Sequence, residues 1–382
     1  MRILFISETF LPKVDGVVTR LVRTLDALEA LGHEVLVLAP PKAPARYGRF
    51  RVVSAPGLPF PWYPELTAAL PAARLARAAS SFRPDVVHVI NPVFFGSWGA
   101  VWARRRRLPL VASFHTDPKV VRDLGLGWLQ RPLEVVDREV HNLADVNLCT
   151  SPQMVRLARS LGIRRVRLWP KAVDSLRFRP EQATPEMRRR LTGDAPERPL
   201  VVYAGRVSFE KRVDVLAEAA RRLPEVRFAV VGEGPALDWL ERELAGTGTV
   251  FTGFLEGDAL ADAYASADIF AFPSDSETLG FAALEAMAAG VCVVAARAGG
   301  IPHIVQDDVN GALVPPSDAP ALAAAIRTLL DDPARRRRLA ARGRADSELW
   351  SWEASTRELV RLYGAAVRLH RCGARSARAA LV

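Results

Sequence analysis

The sequence predicts an α/β fold made of two Rossmann-like domains, each built on a doubly wound parallel sheet. Short apolar strands alternate with helical stretches, and this alternation occurs twice, on either side of a polar segment. The 382 residues are also too many for one ordinary hydrophobic core. A hydrophobic content of 49% with 25% charged residues is typical of a folded globular chain.

The first half begins with an apolar strand, a polar loop and a helix that ends at Gly32. A second strand, HEVLVLAP, follows at once, and such a unit forms a right-handed crossover in a parallel sheet. Further strands are predicted over FRVVSA, DVVHVI, PLVASFH, VNLCTS and RVRLWP. We assign residues 1–172 to an N-terminal domain.

The second half repeats this pattern after a break. Residues 173–199 are polar, charged and contain proline, so we predict a linker there. Residues 200–349 form the C-terminal domain, with strands over PLVVYAG, VRFAVVG, TVFTG, IFAFPS, VCVVAA and GALVPP. Residues 350–370 have helical periodicity, and residues 371–382 form a basic tail that we expect to be frayed.

Charge and cysteine content limit the function classes. The net charge of +10 favours an anionic partner such as a phosphorylated substrate, an acidic lipid or nucleic acid, although arginine-rich genome composition is an alternative source. Cys149, Cys292 and Cys372 are too far apart to predict a zinc site or disulfides, which indicates a reduced, cytoplasmic setting. Met1 leads directly into a strand, so we expect no secretion signal, and no apolar run approaches the roughly 20 residues that a membrane span needs.

Two motifs after predicted strands are suited to phosphate. Arg206 and Lys211 lie in a loop that opens a helix, where two cations and free N–H groups suit a diphosphate. The alternative is two solvated surface cations. Gly232 and Gly234 also lie between a strand and a helix, where glycine allows a ligand close to the backbone or simply makes a turn.

The strongest motif pairs two glutamates, Glu277 in a loop and Glu285 in the helix that follows. Eight helical residues rise about 12 Å, which suits two ends of one long ligand and exceeds the roughly 5–9.5 Å between glycosidase carboxylates. The helix is otherwise apolar all round, and a buried glutamate without a partner is costly. We therefore favour a ligand-binding role for Glu285 over an ordinary exposed position.

The other candidate residues each allow a functional and a structural interpretation. Gly299 and Gly300 either frame a ligand or form a structural turn, and His115, which ends a strand, is either functional or an ordinary structural histidine. Gly16 lies in the loop after the first strand, without the G-x-G-x-x-G pattern of dehydrogenases. Arg104–Arg107 could bind acidic lipid or form a solvated helix end, and the aromatic loop of Phe60, Trp62 and Tyr63 could enter a membrane interface or cap the core.

Together these stretches resemble the retaining glycosyltransferases of the GT-B fold, family four. The resemblance covers nearly the whole chain and is strongest over residues 200–316, where the E-x7-E spacing of Glu277 and Glu285 is the family signature. The chain looks most like the group of sulfoquinovosyltransferases and glycolipid α-mannosyltransferases, through ETFLPKVDGVV, SFHTD and RLWPKAVDSLRFRP. One departure is Ala172, where the family often has glycine.

The resemblance implies roles for the matching positions. Arg206 and Lys211 would hold the donor diphosphate, Glu285 the ribose hydroxyls, and Glu277 the donor sugar. His115 would line the reaction centre from the first domain, and the last helix would cross back onto that domain. The remaining implied donor contacts are Gly16, Gly232, Gly253, Phe254, Leu255, Leu279, Gly280 and Phe281.

We therefore expect metal-independent transfer of a hexose, with retention, from a UDP- or GDP-sugar to a lipid or glycolipid acceptor at the cytoplasmic membrane face. No cofactor, no metal site and no nucleic-acid partner is expected, and contact with anionic membrane would be reversible. Three alternatives stay open: a soluble sugar or polysaccharide acceptor, a sugar-nucleotide epimerase of the same architecture, and a two-domain sugar-binding protein.

Overall fold

The computed structural model describes residues 1–13, 15–60, 63–115 and 127–379. The chain divides into two compact units. The first contains Met1–Pro170 together with the chain from Trp352 onwards, and the second contains Lys171–Ser351. Each unit has its own parallel sheet between layers of helices, as predicted.

The first unit is built on an eight-stranded sheet in the order β10-β9-β8-β7-β1-β2-β4-β3. All neighbours are parallel except β3, which is antiparallel to β4. A separate antiparallel pair, β5 and β6, contains part of the aromatic loop predicted from sequence. The strands are β1 (Arg2–Ser7), β2 (Glu34–Ala39), β3 (Arg46–Tyr47), β4 (Phe50–Ser54), β5 (Gly57–Phe60), β6 (Tyr63–Ala69), β7 (Val86–Ile90), β8 (Leu110–Phe114), β9 (Val146–Cys149) and β10 (Val166–Leu168).

The helices of this unit connect the parallel strands. They are α1 (Gly16–Ala30), α2 (Ala73–Phe82), α3 (Phe95–Arg105), α4 (Gln130–Leu143) and α5 (Pro152–Ser160). Asp15 caps α1, because its side chain accepts hydrogen bonds from the backbone N–H groups of Val17 and Val18. The buried face of α1 comes from the predicted helical spacing and includes Leu21, Leu25 and Leu28.

The second unit is built on a six-stranded parallel sheet in the order β13-β12-β11-β14-β15-β16. Its strands are β11 (Leu200–Ala204), β12 (Arg227–Val231), β13 (Val250–Gly253), β14 (Ile269–Phe272), β15 (Cys292–Ala296) and β16 (Ala312–Val314). Its helices are α6 (Pro185–Thr192), α7 (Val213–Arg221), α8 (Leu237–Glu243), α9 (Gly257–Ala265), α10 (Phe281–Ala288), α11 (Ala319–Asp331) and α12 (Pro333–Glu348). Each predicted strand of this half is present.

The final helix, α13 (Trp352–Ala379), returns to the first unit, as the resemblance implied. Leu359, Leu362, Tyr363 and Ala366 are buried in the core that also contains β1 and α1. Tyr363 Oη lies 2.7 Å from Nδ1 of the fully buried His88. The C-terminal segment therefore contributes part of the hydrophobic core of the first unit.

Two predicted boundaries differ from the structure. Residues 173–199, predicted as a linker, belong to the second unit and include α6, because Phe178, Met187 and Leu191 bury their side chains in its core. Two of the four prolines in this segment, Pro180 and Pro185, begin short helices, since proline suits the first helical position. Residues 371–379, predicted as frayed tail, continue α13, whose alanines and arginines favour helix.

Candidate functional site

In the second unit the strand order reverses between β11 and β14, with β12 and β13 on one side and β15 and β16 on the other. Open parallel sheets bind ligands outside the carboxyl ends of their strands at such a reversal. The loop after β11 carries Arg206 and Lys211, and the loop after β14 carries Glu277. Three residues predicted from sequence therefore follow the two strands that flank the reversal.

Lys211 and Glu277 are in direct contact. Lys211 Nζ donates a hydrogen bond of 2.8 Å to Glu277 Oε1, although 66 residues separate the two along the chain. Their side chains are only 24% and 14% exposed, so water screens the pair less than it would at the surface. The contact joins a cation suited to phosphate with a carboxylate suited to sugar hydroxyls.

Arg206 keeps its guanidinium accessible while its backbone is fixed. Its side chain is 58% exposed, and Nη1 lies 3.7 Å from Glu210 Oε1. Tyr203 Oη donates a 2.7 Å hydrogen bond to the Arg206 carbonyl. Burial, and after it the carboxylates of Glu277 and Glu210, raises the pKa of Tyr203, so the phenol keeps the proton that it donates.

Glu285 lies on α10, a helix that is otherwise largely buried, as the sequence predicted. Tyr264 Oη, on α9, donates a 3.1 Å hydrogen bond to Glu285 Oε2. Burial, and after it the Glu285 carboxylate, raises the pKa of Tyr264 well above its usual value, which keeps the phenol a donor. A largely buried glutamate needs such a hydrogen-bond donor, and no local sequence pattern marks Tyr264 as one.

Gly232 stands where the backbones of three loops meet. Its φ is +138°, and a Cβ there would lie 2.0 Å from the carbonyl oxygen of Gly205. Its N–H donates a 2.9 Å hydrogen bond to the carbonyl of Gly253 at the end of β13. Glycine is therefore needed at position 232 for backbone packing, whatever ligand the neighbouring loops bind.

Gly299 and Gly300 have a structural role that the sequence left open. A Cβ at Gly299, whose φ is +59°, would lie 2.3 Å from the Glu277 carbonyl oxygen, and one at Gly300 would lie 2.5 Å from that of Thr278. The Gly300 N–H donates a 2.7 Å hydrogen bond to the Glu277 carbonyl. The two glycines thus let the loop after β15 support the backbone that carries Glu277.

The other predicted donor contacts of the second unit fall in two places. Leu279 and Gly280 directly precede α10 and Phe281 begins it, so their N–H groups lie at the positive end of the helix dipole. Phe254 and Leu255 follow β13, where Phe254 is 53% exposed. Both sets of residues therefore follow strands of the same sheet.

In the first unit, His115 follows β8 and is buried. Its Nε2 lies 2.9 Å from Ser113 Oγ, and its ring meets Trp169 edge to face at 6.1 Å between centroids. Burial, and after it the charges of Arg20 and His141, lowers the pKa of His115 to about 3. His115 is therefore a neutral imidazole at physiological pH.

The position of Gly16 corrects the prediction that placed it in the loop after the first strand. It is the first residue of α1, directly after the cap Asp15. The short polar side chain of Asp15 begins the helix one residue earlier than the apolar spacing indicated.

The predicted membrane-facing residues are only partly described. Arg104 is bound to Asp145, at 3.2 Å between Nη1 and Oδ1, whereas Arg105, Arg106 and Arg107 are exposed. Trp62 and the residues Thr116 and Asp117 that follow His115 lie outside the described residues.

Membrane-spanning helices and metal-binding clusters are both absent from the described part of the chain. No helix there is long and apolar enough to cross a membrane. No group of three or more histidine, cysteine, aspartate or glutamate side chains is arranged there to hold a metal ion.

Comparisons with known proteins agree with this architecture. Residues 14–177 match the family described as Glycosyltransferase Family 4, and residues 187–346 match Glycosyl transferases group 1. The sulfoquinovosyl transferase SQD2 of Arabidopsis thaliana is 35% identical over 93% of this chain and 72% of its own length. A GDP-mannose-dependent alpha-mannosyltransferase of Mycolicibacterium smegmatis is 35% identical over the full length of both chains. The resemblance inferred from the motifs is confirmed.

Solved structures share the fold. Sucrose-phosphate synthase from Thermosynechococcus elongatus has a TM-score of 0.78 at 24% identity, covering 95% of this chain and 98% of its own. The Anabaena protein HepE, solved in complex with UDP, has a TM-score of 0.76 at 21% identity, covering 95% and 100%. The predicted fold of two parallel-sheet α/β domains, GT-B, is confirmed.

Proposed function

Because this chain belongs to glycosyltransferase family 4, we propose that it transfers a hexose, with retention, from a UDP- or GDP-sugar to a lipid or glycolipid acceptor. The family membership makes the protein a glycosyltransferase. The relatives' names support a mannosyl or related hexosyl donor and a glycolipid product, because one of them is a phosphatidylinositol dimannoside mannosyltransferase of Mycobacterium tuberculosis.

The contact between Lys211 and Glu277 carries the proposal. Lys211 Nζ, a cation suited to phosphate, lies 2.8 Å from Glu277 Oε1, a carboxylate oxygen suited to hydroxyls, and both residues follow strands that flank the reversal of the sheet. A nucleotide sugar presents a diphosphate directly joined to a sugar, so one ligand would satisfy both groups. Glu285, which lies on α10, would then bind the ribose of this ligand, and Arg206 would add a second cation for the diphosphate.

The chemistry follows from where charge develops. The bond between the anomeric carbon and the phosphate oxygen breaks, the acceptor oxygen bonds to that carbon, and the acceptor proton passes to the departing phosphate. Arg206, Lys211 and the N-terminal end of α10 stabilise the growing negative charge of the diphosphate. Attack on the face from which the phosphate leaves gives retention. His115 is a neutral imidazole, so it can offer a substrate a hydrogen bond but no charge.

Because two side-chain cations supply this stabilisation, we propose that the reaction needs neither a metal ion nor a cofactor. Transfer should therefore continue at an unchanged rate in EDTA. If EDTA abolishes transfer and Mg²⁺ or Mn²⁺ restores it, metal independence is wrong. That result would not contradict the proposed donor site.

A donor panel tests the main proposal. The unfolding midpoint is measured with UDP, GDP and ADP, because a ligand that binds the folded state raises it by mass action. Labelled GDP-mannose and UDP-glucose are then incubated with the enzyme, first with diacylglycerol vesicles and then with soluble sugars. We expect one nucleotide to stabilise the protein and label to move into lipid. Label in the soluble sugar would instead favour a soluble acceptor. Conversion of the free nucleotide sugar into another one would favour an epimerase, and binding without any product would favour a sugar-binding protein.

The proposed location is the cytoplasmic face of a membrane, where a nucleotide sugar and a lipid acceptor can meet. The exposed side chains of Arg105, Arg106 and Arg107 support reversible attraction to anionic lipid. Nucleic acid is not proposed as a partner.

A further inference from the structure

Arg212 lies between the donor loops and has an unusual backbone conformation. It follows Lys211 and precedes α7, with φ of +56°, in the left-handed region. Apart from glycine, mainly asparagine and aspartate adopt this conformation readily, and other side chains are disfavoured there. At Arg212 this conformation lies at the junction between the short helical turn Phe209–Lys211 and α7.

The Arg212 guanidinium connects three separate loops. Nε and Nη2 donate to the two oxygens of Asp214, at 3.1 and 2.9 Å, in a bidentate pair on its own segment. Nη1 donates to Asp275 Oδ2 at 3.0 Å, in the loop after β14, and also to Ser317 Oγ in the loop after β16. The planar fork of arginine can reach all of these acceptors at once, whereas the single ammonium group of lysine cannot.

The bond from Arg212 to Asp275 joins the same two loops as the bond from Lys211 to Glu277. Both join the loop after β11 to the loop after β14, and each pair is one cation with one carboxylate. Ser276 Oγ adds a third link, by donating to the Glu210 carbonyl at 3.0 Å. The bonds differ in what a donor does to them: a diphosphate on Lys211 and a sugar on Glu277 would replace the first bond and leave the second intact.

We propose that Arg212 is a positioning residue that, through Asp275, holds the diphosphate-binding loop and the sugar-binding loop at a fixed separation while the donor replaces the contact between Lys211 and Glu277. This inference rests on the proposed donor site. The bond to Asp275 makes this link, whereas the pair with Asp214 stays within the segment that carries Arg212 and joins no second loop. Without it, of the three bonds described above only that from Ser276 to the Glu210 carbonyl would still join the two loops once a donor is bound.

Three variants separate this role from local effects. Arg212→Gly keeps the left-handed backbone without strain but removes the guanidinium. Asp275→Ala removes the bond from Arg212 to the loop after β14 and keeps the pair with Asp214. Asp214→Ala is the matched control, because it removes one carboxylate of the same cluster and leaves the Asp275 bond. All three are compared at equal folded fraction, judged by their unfolding transitions.

We expect Arg212→Gly and Asp275→Ala to lower kcat about 10- to 100-fold, the scale of losses from misplaced reacting groups, with UDP or GDP affinity within about 3-fold of the wild type. The double variant should lose no more than the larger single loss, because both changes break the same link. Arg212→Lys should recover only part of the rate, and Asp214→Ala should stay within about 3-fold of wild-type kcat. Turnover of Arg212→Gly and Asp275→Ala at the wild-type rate, or additive losses, would overturn the proposal.

A readout that does not depend on transfer keeps the two proposals distinct. The Gly300 amide, bonded to the Glu277 carbonyl, reports on the position of the sugar-binding loop through its hydrogen exchange rate. We expect faster exchange in Arg212→Gly and Asp275→Ala but not in Asp214→Ala. If the wild type fails to transfer from any donor while this pattern appears, the donor function is wrong and the link stands. Unchanged exchange in all variants would reject the link by itself.

Discussion

At the residue scale, the two glutamates of the E-x7-E motif have different partners and should have different kinetic roles. Glu277 accepts from Lys211 and is proposed to contact the sugar, where positive charge grows during bond breaking. Glu285 accepts from Tyr264 and is proposed to contact the ribose, far from that charge. Glu277→Gln should therefore mainly lower kcat, and Glu285→Gln should mainly raise the donor KM.

Each loss should be about 1–3 kcal/mol, the cost of leaving a buried hydrogen-bonding partner unsatisfied. Both variants need unfolding measurements beside the kinetics, since Tyr264 loses a charged acceptor in Glu285→Gln. If both fold normally and the kinetic pattern is reversed, the proposed orientation of the donor along α10 is wrong.

The depressed pKa of His115 leads to a prediction about pH. The unfolded histidine gains a proton near pH 6.5, whereas the folded one stays neutral down to about pH 3. Its contribution to folding is therefore fully present above pH 6.5 and is lost as the pH falls below that value. The difference in unfolding free energy between the wild type and His115→Gln should shrink by about 1 kcal/mol between pH 7 and pH 5.5.

Because the folded His115 stays neutral, its ionisation should also leave no mark on the pH dependence of turnover. The ratio of wild-type to His115→Gln kcat/KM should stay constant from pH 5.5 to pH 8.5, because no ionisation of His115 falls in that range. A ratio that changes with a midpoint near pH 6.5 would mean that the imidazole titrates in the folded enzyme.

At the element scale, the loops after β14 and β15 work as one unit because their backbones touch. An alanine at Gly299 would bring its Cβ to 2.3 Å from the Glu277 carbonyl oxygen, and this backbone atom cannot move without displacing Glu277. Gly299→Ala should therefore lower kcat at least 10-fold and destabilise the fold by about 1–3 kcal/mol.

Gly246→Ala is the matched control for this change. Gly246 also has a positive φ, +78°, but a Cβ there meets nothing within 4 Å, so the variant carries only the cost of the left-handed backbone. Both variants are measured by kinetics and thermal unfolding. Equal turnover in the two variants would show that contact with the Glu277 backbone does not matter for catalysis.

At the scale of the whole molecule, the net charge of +10 and the exposed arginines after α3 predict reversible binding to anionic membranes. Each basic residue near such a surface contributes about 1 kcal/mol, and salt weakens the attraction. In vesicle flotation, the protein should bind anionic but not neutral vesicles, and high salt should release it.

Charge reversal tests whether the predicted membrane contact involves the exposed arginines Arg105 and Arg106. Arg105→Glu with Arg106→Glu should abolish flotation and leaves the ion pair between Arg104 and Asp145 in place. Arg189→Glu with Arg190→Glu, on the exposed face of α6, lowers the net charge equally and is the control. Equal losses in both double variants would mean that only the overall charge matters, and no binding to either vesicle would favour a soluble acceptor.

The sequence by itself determined the fold class and the family, and it predicted the residues of the candidate site. Apolar strands alternate with helices in both halves, and this predicted two parallel sheets because local periodicity reports burial directly. Charged and polar residues that follow the strands predicted the position of the candidate ligand site. The sequence-based prediction failed at residues 173–199, because polar composition does not reveal the few side chains of α6 that pack into the core. Residues 371–379 were misjudged because position near a terminus outweighed helix propensity.

Only the tertiary structure decided which of these residues meet. Lys211 contacts Glu277 because β11 and β14 are neighbours in the sheet, and the spacing of the motifs says nothing about strand order. The same applies to Tyr264 beside Glu285, Arg212 beside Asp275, and the glycines packed against the Glu277 backbone. Such contacts join segments distant in sequence, so their geometry follows from non-local pairing of strands and loops, which no window along the chain records.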